Sequence, residues 1–413
     1  MKKCQLKKDG SGSLRTFNPI RDKTIFLAVS FILWFSHFIY VSILSPYMES
    51  IGGKYTFIGI VLGSYGLMQL LFRLPIGISS DMRKVRKPFL IFGMMVSALS
   101  CFIFSVTDHL IWVLVARCLA GIAAATWVVF TVLYSSYFSD SEVHRAMSMI
   151  SFIVVFAQLL GMGLSGYIVE EWGWHAPFWM GGGIAVIGVI LSFFVFEPKD
   201  GIERNPIQLK DLTSVVKDPM LLKASSLSIL AHSIIFSTMF GFIPAYALHI
   251  GFRAADLILV ILSFMIPHAV ATLYMGNILV PLMGKWGTLK ISYLLASVFT
   301  FVVPFIHIKD LFYLVQVFNG FSLGIIFPLL LGMSIETIPH VKRATAMGAY
   351  QAIYATGIFA GPFFAGILNS RLGITAGFYF TAAIGLLAVI LICFWERKNP
   401  FRTAVKIRNR LDL

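Results

Sequence analysis

Residues 73–88 read RLPIGISSDMRKVRKP. Upstream lies an apolar run, YTFIGIVLGSYGLMQLLF (55–72), and downstream another, PFLIFGMMVSALSCFIFSV (88–106). As helices, both are long enough to approach or cross the ~30 Å hydrocarbon core of a bilayer. Between them stand Arg83, Lys84, Arg86 and Lys87, cations that hydrocarbon excludes. The stretch therefore reads as a short basic loop joining two membrane-crossing helices. Two residues exceed what an anchor needs. Asp81 places a carboxylate where it can meet the positive N-terminal end of a neighbouring helix, or an arginine. Gly77, one turn earlier, lets another helix approach closely, and Pro75 can bend this end of the span.

The same pattern continues along the chain. Of its 413 residues, 58% are hydrophobic and only 13% charged, where a soluble protein would carry about a quarter. Mean hydropathy is +0.84. A soluble helical enzyme would instead show shorter, amphipathic runs. Twelve spans are predicted, at 24–47, 56–79, 89–107, 110–135, 146–168, 176–196, 222–247, 257–281, 289–307, 311–335, 344–368 and 375–394. The polar stretch 197–221 divides them into two six-helix bundles, 24–196 and 222–394, with a basic arm at 1–23 and a tail at 395–413. The arm lacks the apolar core of a cleaved signal, so the first span is expected to direct insertion. Cys4, Cys101, Cys118 and Cys393 form no CxxC pair and read as small core residues, not disulfides or metal ligands.

Charge sets the orientation. All but six of the 33 lysines and arginines fall in the arm, the tail, the linker and alternate loops on one side. The exceptions are Lys54, Arg253, Lys309 and Arg371 on the other side, and Arg73 and Arg117 within spans. The positive-inside rule then places both termini in the cytoplasm, with the protein in the plasma membrane. Attraction to anionic lipid headgroups accompanies that arrangement. The net charge of +14 needs no nucleic acid to explain it.

The two halves repeat. GMGLSGYIVEEWGWHAPFW (161–179) and GPFFAGILNSRLGITAGFY (361–379) align at an offset of 200, pairing Gly161 with Gly361, Gly166 with Gly366 and Gly173 with Gly373. Ala176 pairs with Ala376 and Phe178 with Phe378, while Arg145 and Arg343 each stand four residues before a Met. Duplicated six-span halves with a site between them at mid-membrane are a transporter architecture.

GSYGLMQLLFRLPIGISSDMRKVRK (63–87) resembles the second span and following loop of the major facilitator superfamily. That signature has a Gly, an Asp four residues on, and a cation cluster. Gly77, Asp81, Arg83, Arg86 and Lys87 fit it, with Met82 and Lys84 where Arg and Gly are more usual. The resemblance implies an all-α fold of twelve transmembrane helices in two pseudo-symmetric halves. It also implies a gate in which Asp81 meets the start of span eleven, near Ala344, and closes the cytoplasmic side. The C-terminal copy, VPLMGKWGTLK (280–290), has Gly284 where an aspartate could stand, so an asymmetric lock is expected. Arg117 and Gly121 in LVARCLAGIAAATW (114–127) resemble the family's Arg-x-x-x-Gly signature. GMGLSG resembles the antiporter pattern Gly-Pro-x-x-Gly-Gly with Met162 replacing the proline, and GPFFAG retains Pro362. Close helix packing at Gly161, Gly166, Gly361 and Gly366 would account for both.

The intramembrane polar residues define the candidate site. Arg73 either snorkels to the interface or pairs with Gln69 one turn away. Arg117 lies deeper, where an exposed guanidinium would cost at least ~2.5–3.5 kcal/mol, so it should face the protein interior. There it bridges helices, binds an anionic group or modulates a nearby proton site. No carboxylate falls clearly inside the bilayer; Glu49, Asp108, Glu170, Glu171, Asp256 and Asp310 lie toward the outer side. Three histidines do fall inside: His37, His232 and His268. An imidazole exchanges protons near neutral pH and can stand in for a carboxylate, although such residues also serve as packing groups. Tyr40, Asn319, Gln351 and Tyr354 are candidate wall groups. Such a cavity favours a neutral or anionic substrate over a permanent cation.

No Walker loop, metal-ligand cluster or nucleophile elbow is present, so the chain reads as a non-enzyme without cofactor or metal. Its expected partners are a small-molecule substrate, protons and membrane lipids, and a monomer is expected. A proton-coupled exporter of a drug or metabolite is the leading expectation. An uptake symporter or facilitator for a sugar, organic anion or other metabolite shares the fold, and a receptor or lipid scramblase is the rival from another class.

Overall fold

The computed structural model describes residues 18–139, 142–198, 214–339 and 342–397. The linker core and most of both terminal arms named above lie outside these residues, as do the side chains of Arg145 and Ala344. Among the described residues there is no strand. Twelve apolar helices follow one another: α1 Pro19–Ser50, α2 Tyr55–Arg83, α3 Lys87–Val106, α4 Leu110–Ser135, α5 Val143–Trp172 and α6 Ala176–Ser192 in one half. The other half holds α7 Pro219–His249, α8 Ala254–Tyr274, α9 Val280–Phe305, α10 Lys309–Ser334, α11 Arg343–Leu372 and α12 Ala376–Arg397. Twelve crossings return the chain to the end from which it starts. That end, bearing the loop with Asp81, is called the terminal end below, and the opposite end the far end.

Local sequence sets the helix boundaries twice over. Asn18 caps α1 by accepting from the Arg21 N–H at 3.2 Å, and Asp218 caps α7 by accepting from Met220 and Leu221 at 2.9 and 2.8 Å. A proline follows each cap at the first helical position, where its missing N–H costs nothing. Cap and proline recur at the 200-residue offset. So do Gly173 and Gly373, whose positive φ of 83° and 92° ends α5 and α11 in a conformation that side chains resist. The first helix of each half is broken near mid-membrane: α1 turns at residues 39–40, and α7 opens into a π-turn over Thr238–Phe242. The breaks meet across the halves, Phe38 lying edge-on to Phe240 with centroids 5.4 Å apart.

Packing separates lipid-facing from protein-facing helices. Phe92, Met95 and Leu99 on α3, Ile187 and Ile190 on α6, Leu294 and Val298 on α9, and Leu387 and Ile390 on α12 are exposed at helical spacing. In a bilayer such stripes face hydrocarbon. Helices α2 and α11 cross between the halves at glycines. A Cβ added to Gly59 would stand 2.9 Å from Gly366 Cα, and one on Gly63 would stand 2.6 Å from Phe359 O. Helices α5 and α8 make the equivalent crossing, Gly166 lying against Ala254 and Leu257.

Gly77 does not follow this pattern. A Cβ there would meet nothing closer than Val128, in its own half, at 3.6 Å. The close approach expected of it is not made in this conformation. Between α8 and α9 lies a π-turn over Met275–Leu279, and Gly284, at φ 71° and ψ 164°, kinks α9 near its start.

Candidate functional site

The polar residues of the membrane interior gather where α1, α2 and α4 meet α7 and α11. Arg117 on α4 is 1% exposed. Its guanidinium lies over the Tyr65 ring at 4.2 Å and near the Tyr40 ring at 5.9 Å. Neither Nε nor Nη1 has a hydrogen-bond partner, and among the described residues no carboxylate pairs with it. Gly121 explains how α4 comes so close: a Cβ there would stand 2.6 Å from Tyr65 O. Aromatic faces supply about 0.5–2 kcal/mol to a cation. They leave most of the guanidinium's hydrogen-bonding capacity unused.

Next to Arg117, His37 on α1 places both ring nitrogens on carbonyl oxygens: Nδ1 is 2.6 Å from Leu33 O, and Nε2 is 3.1 Å from Ala120 O. A neutral imidazole has one N–H and can donate to only one of them; an imidazolium donates to both.

Arg73 on α2 is buried, not snorkelling. Its Nη2 donates to Gln69 Oε1 at 2.6 Å and its Nη1 to Tyr354 Oη at 3.4 Å, across to α11. Tyr354 stacks on His232 of α7, with centroids 3.9 Å apart and planes within 4°. His232 Nδ1 contacts Ser228 O at 2.8 Å, and Tyr350 donates to Ser228 Oγ at 2.8 Å. Rings continue from His232 through Phe236 to Tyr65, each pair near-parallel at 6.4 and 6.3 Å. A ladder of four rings thus joins the two buried arginines and crosses the boundary between halves.

Other predicted residues sit elsewhere. Tyr40 packs inside its own half against Phe104 and Phe178 at 4.9 and 5.5 Å. Asn319 turns toward α9, where Thr300 donates to its Oδ1 at 3.4 Å. Neither joins the ladder. His268 reaches it indirectly, sharing Phe327 with His232 at 5.8 and 4.7 Å. Gln351 is half-buried one turn before Tyr354. Gly161 packs on the backbone at Phe38–Ile39 and Gly361 on Ser233, each within its own half. Pro362 turns its carbonyl toward Gly59. Sequence reasoning missed Tyr65 and Phe236, which carry no signal beyond being aromatic. It also missed Gln316, fully buried on α10 with neither amide atom partnered.

At the terminal end, Asp81 accepts from Arg86 Nη2 at 3.0 Å, the arginine alternative in the sequence expectation, and not from the start of α11. The loop is tied to its own half: Glu197, beyond α6, accepts from the Arg86 and Lys87 backbone N–H groups at 2.5 and 3.1 Å. Lys87 Nζ donates to Phe193 O at 2.7 Å. Arg83 is exposed.

At the far end the halves are pinned together. Tyr55 donates to Glu49 Oε1 at 2.6 Å, and His249 Nε2 lies 2.6 Å from the same oxygen. Glu170 of α5 pairs with Arg253 Nη1 at 3.4 Å. This face is closed across the halves, while the Asp81 loop at the terminal end is held in its own half.

Known proteins are similar to this chain along much of its length. The profile of the Major Facilitator Superfamily matches residues 26–311 and 259–410. Inner membrane transport protein YajR of Escherichia coli is 31% identical over 225 residues, covering 53% of this chain and 48% of that protein. The alignment thus spans about half the length of that relative. Quinolone resistance protein NorA of Staphylococcus aureus is 28% identical over 149 residues, 36% of this chain and 38% of its own. Among solved structures, a bacterial homologue of the human lysosomal transporter Spinster, in an inward-facing and unoccupied conformation, superposes with a TM-score of 0.77 at 12% identity. That match covers 92% of this chain and 97% of the other.

Proposed function

The chain belongs to the major facilitator superfamily, and on that premise we propose that it is a secondary transporter that moves a neutral or anionic small molecule by alternating access, coupled to protons. The observation that carries the substrate charge is Arg117: a guanidinium sealed inside the protein, with two of its three nitrogens unpartnered and, among the described residues, no carboxylate paired with it. A buried unpaired charge is costly, and an anionic group docked on it removes that cost. A permanent organic cation would find only aromatic faces here and would be repelled by Arg117 and Arg73.

The proton is assigned to His37 and His232. His37 has two carbonyl oxygens waiting for two N–H groups, and His232 sits in the ladder that links the halves. The far end is the extracellular one on this reading, because Lys54, Arg253, Lys309 and Arg371 are the sparse cations of its loops. Export is favoured over uptake by the likeness to NorA, whose name states quinolone resistance. The Asp81 loop is the cytoplasmic gate, which would engage α11 when the protein faces outward.

The test is an untargeted comparison of metabolite and drug accumulation in cells with the protein, without it, and with Arg117→Ala. An exporter lowers intracellular substrate, an importer raises it, and Arg117→Ala matches the cells without the protein. Efflux of a quaternary ammonium dye that survives Arg117→Ala would overturn the assignment of substrate charge.

A further inference from the structure

The far face contains a pair of contacts that no sequence motif marks. At the end of α5, Glu170 Oε2 accepts from the backbone N–H of Ala255 at 2.7 Å. At the end of α11, Ser370 Oγ accepts from the backbone N–H of Thr56 at 2.7 Å. Ala255 and Thr56 are each the second residue of a helix, α8 and α2 respectively. The first N–H groups of a helix have no partner within it and need an external acceptor. Ordinarily a side chain just before the helix supplies one. Here the residues at the N-cap positions, Lys54 of α2 and Arg253 of the turn that opens α8, are cations with no acceptor oxygen in the side chain. The acceptors come from the opposite half of the molecule, in both directions, from positions 200 residues apart.

The approach that permits this is also duplicated. Gly166 and Gly366 each stand one turn before the capping residue. A Cβ on Gly166 would lie 3.0 Å from the Ala254 carbonyl carbon, and one on Gly366 would lie 2.8 Å from Gly59 Cα. The two crossings differ in charge. Glu170 also pairs with Arg253, whose neighbour Asp256 is held by Lys309 at 2.6 Å. Ser370 has only its hydroxyl to offer.

We infer that Glu170 and Ser370 are paired gate residues: each caps a helix of the opposite half, and together with the Glu49–His249 contact they hold the far face shut. Opening this face separates α5 from α8 and α11 from α2. It leaves the Ala255 and Thr56 N–H groups without acceptors unless water replaces them, although at α8 Asp256 still accepts from the Arg253 N–H at 3.0 Å. The caps thus bias the alternating-access equilibrium toward the state closed at the far face. This device is independent of what is transported, and of whether the cycle exports or imports.

The experiment measures distances between nitroxide labels at Val106→Cys and Ile308→Cys. Both sites are exposed at the far end, one in each half. The labels are placed in full-length protein, with the four native cysteines replaced by alanine, reconstituted in lipid nanodiscs. Loss of one helix cap is expected to change the open-to-closed ratio about five-fold. Glu170→Ala and Ser370→Ala should each lengthen the distance distribution by that measure, and the double variant should exceed either. Glu170→Gln keeps an acceptor for Ala255 and loses the Arg253 pair, so its shift should be smaller than that of Glu170→Ala. Ser370→Thr should match the parent. These two conservative variants also keep the test decisive if an alanine variant does not fold. A double variant with the parent distribution would overturn the inference. Equal shifts from Glu170→Gln and Glu170→Ala, with none from Ser370→Ala, would also overturn it, because charge and not capping would then hold the face.

Discussion

The two halves share a backbone plan but not a polarity. Caps at Asn18 and Asp218, mid-helix breaks near 39–40 and 238–242, and the terminating glycines Gly173 and Gly373 recur at one offset. The buried arginines and histidines do not. The N-terminal half encloses Arg117 and Arg73, both with permanent charge. The C-terminal half offers His232, His268 and Gln316 near the equivalent helices, none of them permanently charged. Duplication preserved what positions the helices, while the residues that would meet a substrate diverged. An anionic group should therefore rest nearer the N-terminal half, with the C-terminal half contributing rings and imidazoles.

The largest test of that asymmetry is Arg117→Ala. Hydrogen bonds to a charged group contribute about 1.5–3 kcal/mol, so transport of the compound found by the accumulation comparison should fall about ten- to hundred-fold. Arg73→Ala should lose less, because Arg73 already spends its donors on Gln69 and Tyr354. Equal small losses would make both arginines structural.

The gate loops supply the next effect. The 2–3 loop carries Asp81, paired with Arg86, whereas the C-terminal copy, VPLMGKWGTLK (280–290), carries no carboxylate. Asp81→Asn removes charge without volume and should reduce transport strongly, at near-normal expression and membrane insertion. Wild-type rates in that variant, measured as uptake into inverted vesicles, would remove the gate from the N-terminal half.

A subtler effect concerns protons. Replacing His37 and His232 by Gln should flatten the pH profile of transport while leaving appreciable activity at the optimum, whereas Arg73→Ala should lower activity without changing the profile's shape. An unchanged profile in the double variant would move the proton elsewhere.

The smallest effect is on stability alone. Gly284→Ala forces a side chain into φ 71°, ψ 164°, a region that only glycine occupies comfortably, at a cost of about 1–3 kcal/mol. The melting temperature should fall. Lys84→Gly, at φ 53° in the N-terminal counterpart, should leave it nearly unchanged, because a lysine already tolerates that left-handed position.

The twelve helices, their order and the repeat were legible in the sequence, because bilayer thickness and cap chemistry act on local stretches of chain. Arg117 was legible as an interior residue for the same reason: a charge at that depth has nowhere else to go. The pairing of Arg73 with Gln69, one turn apart on one helix, was legible; which polar groups meet between helices was not. Asn319 was expected at a cavity wall and Asp81 at a gate; Asn319 faces α9, and Asp81 binds an arginine of its own loop in this state. Tyr65 and Phe236 gave no sign that they would bridge Arg117 to His232. Glu170 and Ser370 lay within the repeat that revealed the duplication, but a carboxylate and a hydroxyl do not look alike in an alignment. Hydropathy determines that a helix crosses the membrane, but it leaves rotation about the helix axis free. Only the neighbouring helices, through glycine crossings and the pairing of otherwise unsatisfied N–H groups, decide which face turns inward and which residue of the other half it meets.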